Sequence, residues 1–531
     1  MAGEPADAVR PIRGRTRLMG YLRLASPILC GALAVLGPCG VHGHDVRAVR
    51  VEDIEIDAQA PAHRFPHFWE ETFGSGRASL ALRESYRNDL RVMKQATAIS
   101  YLRFHDILDD DVGVYDEDAQ GNAVYNFSYV DQIYDGLLAL GVRPFVELSF
   151  MPGKLAAQPR PHPFWYHPNV SPPRSWEAWD ALIRALASHL IARYGIDEVG
   201  RWYFEVWNEP NIDFWAGVPK QASYFELYDH TARALKSVDA RIRVGGPATA
   251  AAHWVSEFLA HAQTAHVPVD FVSSHGYADD TVEDLFGSSE RIPMDDRVCR
   301  AIAKVHGEIA ASGSPGLPLM WTEWNVPSFD RLNARDTIYV GPALANTIRE
   351  CDGLVDMMSF WTFSDVFDET GPGREPFEGG FAPIAMGGIR KPGYVAFALL
   401  HDLGEERLAN TAPDVLVTRR GDGTLVVAAW NLVDPDLVGS GKTLRLRLRG
   451  VASDAAVTVR ILDSRHGNTL ATYRALGSPR YPTRREVARI NRSAVLQREV
   501  GRLDHGSIAL ELSPDALALI EVAPAAARES R

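Results

Sequence analysis

Cysteine is scarce in this 531-residue chain, which has four, and none stands in a Cys-x-x-Cys pair. That spacing excludes a cysteine-built zinc or iron–sulfur site. Basic charge is also short, with 55 Lys and Arg against 68 Asp and Glu and a formal net charge of −13. A polyanion such as nucleic acid is therefore not an expected partner, because phosphate binding needs concentrated cations. No glycine-rich loop follows a strand, so a nucleotide cofactor has no cradle. The apolar stretch from Leu24 to Leu36 is too short for a stable membrane span, which needs about 20 residues. What remains has ordinary globular composition, 46% hydrophobic and 23% charged, with 12 Trp and 17 Tyr. Such aromatics suit the C–H faces of sugar rings, although most in a chain of this size belong to the core.

The first 44 residues differ from the rest. Arg10, Arg13, Arg15, Arg17 and Arg23 precede the Leu24 to Leu36 stretch, and Val41 and Gly43 supply small residues before His44. This order is that of a signal peptide over residues 1–44, and it implies a periplasmic or secreted protein. Cys39 raises a lipoprotein reading, but Pro38 before it fits poorly. Cleavage would leave Cys299 and Cys351, either paired or as two buried thiols.

From residue 60 to 401, short β-rich runs alternate with helical patterns. The clear runs are Ile99 to His105, Arg143 to Phe150, Trp202 to Asn208, Ile242 to Ala248, Phe271 to Tyr277, Pro318 to Asn325 and Asp356 to Phe363, with a weaker first run at His67 to Thr72. Between them, Tyr129 to Leu140 and Tyr224 to Leu235 place apolar residues three and four apart. Eight strands alternating with helices predict an α/β fold, a (β/α)8 TIM barrel, whose active site sits on loops at the strand C-termini. One such loop is the polar, Pro-rich segment Gln158 to Pro173. From residue 402 to 525 the period becomes two, as in Leu425 to Trp430 and Leu444 to Leu448, with a Gly421-Asp422-Gly423 turn. This predicts an accessory antiparallel β-sandwich, joined by residues 45–59, where Val49 to Ile56 also alternates.

Two carboxylates carry the chemistry. WYFEVWNEPN at 202–211 ends an aromatic strand in Asn208-Glu209-Pro210, and PLMWTEWN at 318–325 ends the seventh strand at Glu323. Both fall at the catalytic mouth of a barrel. Burial among Trp and Phe favours a protonated Glu209, fit for a general acid. Strands four and seven face one another, so the carboxyl groups are expected ~5 to 5.5 Å apart, the separation of retaining glycosidases. Glu323 would then attack as nucleophile and Glu209 serve as acid, then base. Glu147 and Glu205 lie further back on their strands, where hydrogen bonding in the barrel core is expected of them.

Beyond these two motifs the chain carries YLRFHDILDDD at 101–111, PFVELSFMP at 144–152, VGGPAT at 244–249, VDFVSSHGY at 269–277, FWTFSDVFDE at 360–369, FEGGF at 377–381, VLVTRR at 415–420 and GSPRYPT at 477–483. With them it resembles glycoside hydrolase family 39, specifically its bacterial β-xylosidases, nearly end to end. The resemblance implies a retaining exo-glycosidase that releases terminal β-D-xylose from xylo-oligosaccharides, with Glu209 as proton donor and Glu323 as nucleophile. It also implies a ring of sugar-binding residues: His105, Asn208, His275, Tyr277, Trp361 as the pocket floor, Asp368 and Glu369. No metal and no cofactor are called for, and homo-oligomers are common in similar enzymes.

Three positions depart from the pattern. Phe367-Asp368-Glu369 stands where Phe-Glu-Glu is usual, Trp replaces a smaller aromatic in WTEWN, and Glu378 stands where His is expected. These leave an α-L-arabinosidase or another neutral-sugar glycosidase as the alternative. An α-L-iduronidase-like activity would need cations in the pocket, and Arg374 alone lies in the loop motifs from Trp361 to Phe381. A non-catalytic carbohydrate-binding protein would be expected to lack one of the glutamates.

Overall fold

A computed structural model of the chain describes residues 50–327, 334–434 and 437–524. The signal peptide expected over 1–44 lies outside the described residues.

The eight barrel strands are β1 (Thr72–Arg77), β2 (Tyr101–His105), β3 (Arg143–Glu147), β4 (Tyr203–Glu205), β5 (Arg243–Thr249), β6 (Phe271–His275), β7 (Leu319–Trp324) and β8 (Met357–Phe360). All neighbouring pairs are parallel, and β8 closes on β1 through Ser359 and Thr72. Helices cross between the strands, and several bury a single stripe. The helix Trp176–Tyr194 starts at Ser175, whose side chain accepts from the Ala178 N–H, and turns Trp179, Leu182, Ile183, Leu186 and Leu190 inward. Gly195, at φ +79°, ends it.

The first strand lies later than its expected place at His67 to Thr72. Its sequence, TFGSGR, is broken by two glycines and reads weakly as a strand. A Cβ at Gly74 would collide with the Trp361 indole, so glycine there makes room for the floor of the site.

The accessory region has two sheets. Seven antiparallel strands run in the order Ala62–Arg64, Glu406–Leu408, Val415–Arg419, Leu425–Trp430, Leu517–Val522, Ala456–Leu462 and Glu499–Arg502. A three-stranded sheet joins Arg50–Asp57, Lys442–Arg449 and Ser507–Leu512. Here the expected antiparallel pattern is broken once, because Arg50–Asp57 pairs parallel to Lys442–Arg449. Ala62–Arg64, on the barrel side of the expected boundary at residue 60, forms an edge strand of the larger sheet.

Strand Leu425–Trp430 shows why an unbroken apolar run occurs there. Leu425, Val427 and Ala429 face the three-stranded sheet, while Val426, Ala428 and Trp430 join the core shared with the barrel's helices. Both faces are buried, and all described residues belong to one compact unit.

Cys299, on helix Met294–Ala311, and Cys351, ending helix Val340–Cys351, form a disulfide that closes 52 residues of chain. Converting both to Ser is expected to cost about 2–4 kcal/mol of unfolding free energy, measurable by denaturant titration.

Candidate active site

Inward side chains fill the barrel in layers. At the bottom Tyr101, Phe145, Phe271, Met320 and Met357 form an apolar plug. One pleat higher, on the same face of β2, β3 and β4, come Arg103, Glu147 and Glu205. The guanidinium of Arg103 is fully buried. It donates to Glu205 Oε2 at 2.6 Å, Glu323 Oε1 at 2.8 Å and Asn208 Oδ1 at 2.9 Å, and lies 2.8 Å from Glu147 Oε2. Thr322 donates to Glu205 Oε1 at 2.7 Å. Thr322 and its neighbour Glu323 both turn inward because the register of β7 slips between Trp321 and Trp324.

Above this layer opens a cavity of about 390 Å³, lined by His105, Asn208, Glu209, Tyr277, Glu323, Trp361 and Glu369, with Phe164, Phe214, Asp279, Asp280 and Phe381 at its sides. Strand β4 stops at Glu205, short of the expected Asn208, because Trp207 and Glu209 adopt positive φ of 72° and 41°. Such residues cost about 1–3 kcal/mol each. Neighbours hold the turn: Trp207 donates its indole N–H to Phe214 O at 2.7 Å, and Glu209 N donates to Ala248 O at 2.9 Å.

The two glutamates meet across His275. Its Nδ1 lies 3.0 Å from Glu209 Oε1 and 3.7 Å from Glu323 Oε1, and its Nε2 pairs with Thr322 Oγ1 at 3.1 Å. One carboxylate oxygen each of Glu209 and Glu323 come within 4.8 Å. Tyr277 donates to Glu323 Oε2 at 2.7 Å, so Arg103 and Tyr277 hold one oxygen of Glu323 each.

Burial, followed by the charge of Glu323, raises Glu209 well above the usual carboxylate range. Burial and the nearby charges of Arg103 and His105 keep His275 well below the usual imidazole range, hence neutral. His105 shows the opposite balance. Burial pulls it down, but the Glu147 carboxylate, 2.7 Å from Nδ1, outweighs that and raises it. Burial pushes Glu369 up to about 8 against the pull of His105, whose Nε2 is 3.6 Å away. The site thus sets a carboxyl whose protonated form burial favours beside a second carboxyl held by a permanent cation, with one oxygen of each within 4.8 Å.

The family model of glycosyl hydrolases family 39 matches residues 52–505. The chain belongs to this family. It is 38% identical over 476 residues to a beta-xylosidase of Geobacillus stearothermophilus, covering 86% of this chain and 93% of the relative. It is 34% identical over 466 residues to a beta-xylosidase of Caldicellulosiruptor saccharolyticus, covering 84% and 93%. The crystal structure of a monomeric beta-xylosidase from Caulobacter crescentus superposes with a TM-score of 0.81 at 33% identity, covering 89% of this chain and all of that one. The chain is a glycoside hydrolase, and retention of anomeric configuration is general in family 39.

Within this family 39 fold, the expected site residues converge with one exception. Trp361 lines the cavity, its ring 4.8 Å from that of His105 and 6.0 Å from the Arg103 guanidinium. Arg103 takes Asn208 Oδ1, so Asn208 offers the cavity its amide hydrogens. His275 lies just beneath the lining, behind Glu209. Asp368 is the exception and does not line the cavity. It is one methylene shorter than the usual Glu, and Arg77 donates to its Oδ2 at 3.1 Å while Arg83 lies 3.6 Å from the same oxygen. Glu147 and Glu205 hydrogen-bond in the barrel core as expected.

Arg103 is the main residue that sequence reading misses. The signal is an Arg two residues before His105, in a strand whose other residues, Tyr101, Leu102 and Phe104, are apolar. The side walls Phe164, Phe214, Asp279, Asp280 and Phe381 were also unforeseen, because loop folding, not periodicity, brings them in.

Among the described residues, two groups could offer three ligands to a metal ion. One is Glu209, His275 and Glu323 itself; the other is His67, Glu70 and His401, far along the chain from the cavity lining. In the second, both His Nδ1 atoms already meet the buried Glu70 carboxylate, at 2.6 and 2.9 Å. A larger depression of about 700 Å³ lies on the accessory sheets, but its charges, such as Arg445 and Asp53 at 3.9 Å, answer one another across an open surface. The paired glutamates place the chemistry in the smaller cavity.

Proposed function

We propose that this family 39 enzyme is a retaining exo-β-xylosidase that releases terminal β-D-xylose from xylo-oligosaccharides. The approach of the Glu209 and Glu323 carboxylates to within 4.8 Å, with Glu209 held protonated, carries this reading. Glu323 attacks the anomeric carbon while Glu209 gives its proton to the departing oxygen, forming a covalent xylosyl-enzyme. Glu209, now a carboxylate, takes a proton from water, which attacks the same carbon and frees Glu323. Asn208, His105 and Glu369 are positioned to bond the sugar's hydroxyls, and Trp361 to stack on its ring. The choice of xylose is supported by the two beta-xylosidases that match over most of their length.

Hydrolysis of aryl β-D-xyloside, α-L-arabinoside, β-D-glucoside and α-L-iduronide tests this reading. The xyloside is expected to be cleaved fastest; preference for another sugar overturns the substrate while leaving the chemistry. The acid role has its own pH signature. Because Glu209 must be protonated in the free enzyme, kcat/KM falls as pH rises through its elevated pKa. Glu209→Gln is expected to remove that alkaline limb on substrates with activated leaving groups.

The protein is exported in this reading. The Arg-rich, then apolar, order of residues 10–36 and the Cys299–Cys351 disulfide both support an oxidising compartment.

A further inference from the structure

The loop that follows β8 supplies two walls of the cavity, Glu369 and Phe381. Neither sits on a strand, yet each must be placed to a fraction of an ångström to bind a sugar well. Behind this loop, away from the cavity, is a buried charge cluster that the chemistry above does not use.

Its centre is Lys391, whose side chain has no exposure. The ammonium lies 2.9 Å from Asp336 Oδ1 and 2.6 Å from Asp365 Oδ2, and donates to Gly380 O at 3.0 Å. Each acid gives its second oxygen to the same stretch of backbone. Asp336 Oδ2 accepts from Gly379 N at 2.7 Å, and Asp365 Oδ1 accepts from Ala382 N at 3.0 Å. Three hydrogen bonds therefore bracket Phe381 from residues 379, 380 and 382. Asn325 completes the bracket by donating to Phe381 O at 3.0 Å, and the Arg335 guanidinium sits 4.6 Å from the centre of the Phe381 ring. The FEGGF motif has a physical reason here: Gly379 adopts φ +86°, and a Cβ at Gly380 would run into the Asp365 carboxylate.

We infer that Lys391, acting through Asp336 and Asp365, is a positioning residue that sets the wall formed by Phe381 and Glu369 and thereby the affinity for the sugar. A buried ion triad adds little stability compared with apolar residues of the same volume, but it specifies one geometry. Here both carboxylates spend their remaining oxygens on the wall segment, and Asp365 stands four residues before Glu369 on the same loop. Lys391 touches no substrate; its effect passes through the loop.

This inference rests on the reading that the cavity holds the sugar being cleaved. The test compares Lys391→Met, which removes the charge, with Gly380→Ala, which crowds the same clamp while leaving every charge in place. The full-length enzyme is assayed on whichever aryl glycoside the wild type cleaves fastest, so a preference for a sugar other than xylose overturns the proposed substrate without touching this inference. Active sites are titrated with a slow, mechanism-based 2-fluoro glycoside. In both variants KM and the inhibition constant of the free sugar are expected to rise together by about 10-fold or more, because wall contacts act in ground and transition states alike. Turnover per titrated site should change less than about threefold, with both pH limbs unmoved. Wild-type KM with only a lower Tm or a smaller titratable fraction would mark the cluster as merely structural and overturn the inference. Should Lys391→Met fail to fold, Gly380→Ala decides alone.

Discussion

Glu323→Ala is expected to lower kcat/KM by on the order of 10⁴- to 10⁶-fold, the scale seen when a covalent nucleophile is removed. The variant should remain folded, because Arg103 keeps Glu147, Glu205 and Asn208 as partners and the new gap opens into an existing cavity. With the carboxylate gone, a small anion such as azide fits between the sugar and Arg103 and attacks the anomeric carbon once, giving a glycosyl azide of inverted configuration. In Glu209→Ala the nucleophile survives, so azide enters at the second step and its product keeps the configuration of the substrate. Opposite anomers from the two variants, read by proton NMR, assign the two roles; the same anomer from both would contradict them.

Replacing Arg103 with Met is expected to have the largest effect on the fold. The guanidinium is the fixed cation among Glu147, Glu205 and Glu323, and burial already disfavours the charged forms of Glu147 and Glu205 that it leaves behind. Breaking a buried ion pair by removing one partner costs about 3–5 kcal/mol. Glu205, already raised by burial despite Arg103, would take up a proton first. Arg103→Lys should recover only part of this loss, since a single ammonium cannot match the planar fork that reaches four acceptors. Equilibrium unfolding measures the cost, and activity per folded molecule shows how far Glu323 depends on the same cation.

The barrel was legible in the sequence because seven of its strands are apolar runs bounded by helical patterns. The two glutamates were legible because each closes such a run among tryptophans. β1 was misplaced for a related reason: its glycines, which admit the Trp361 ring, remove the apolar signal that marks a strand. Arg103 stayed hidden because a buried cation reads as an exposed one until its partners from β3, β4 and β7 are brought together by closure of the barrel. Glu147 and Glu205, whose places on their strands predict core hydrogen bonding, are that cation's partners. The motif of Asp368 points to the sugar site, but its shorter side chain is held by Arg77 and Arg83. Loop residues such as Phe214 and Phe381 obey no period, and the clamp that places Phe381 joins residues 336, 365 and 391, which no local pattern connects.

Glu323 is expected to bond covalently to the anomeric carbon of a β-xyloside. The most direct measurement incubates the enzyme with 2-deoxy-2-fluoro-β-D-xylosyl fluoride, whose electronegative substituent slows the second step more than the first, and locates the adduct by peptide mass spectrometry. One fluoroxylosyl group on the peptide containing Glu323, absent from Glu323→Ala, is the expected result. A label on another residue, or turnover with inverted product and no adduct, would rule Glu323 out as the nucleophile.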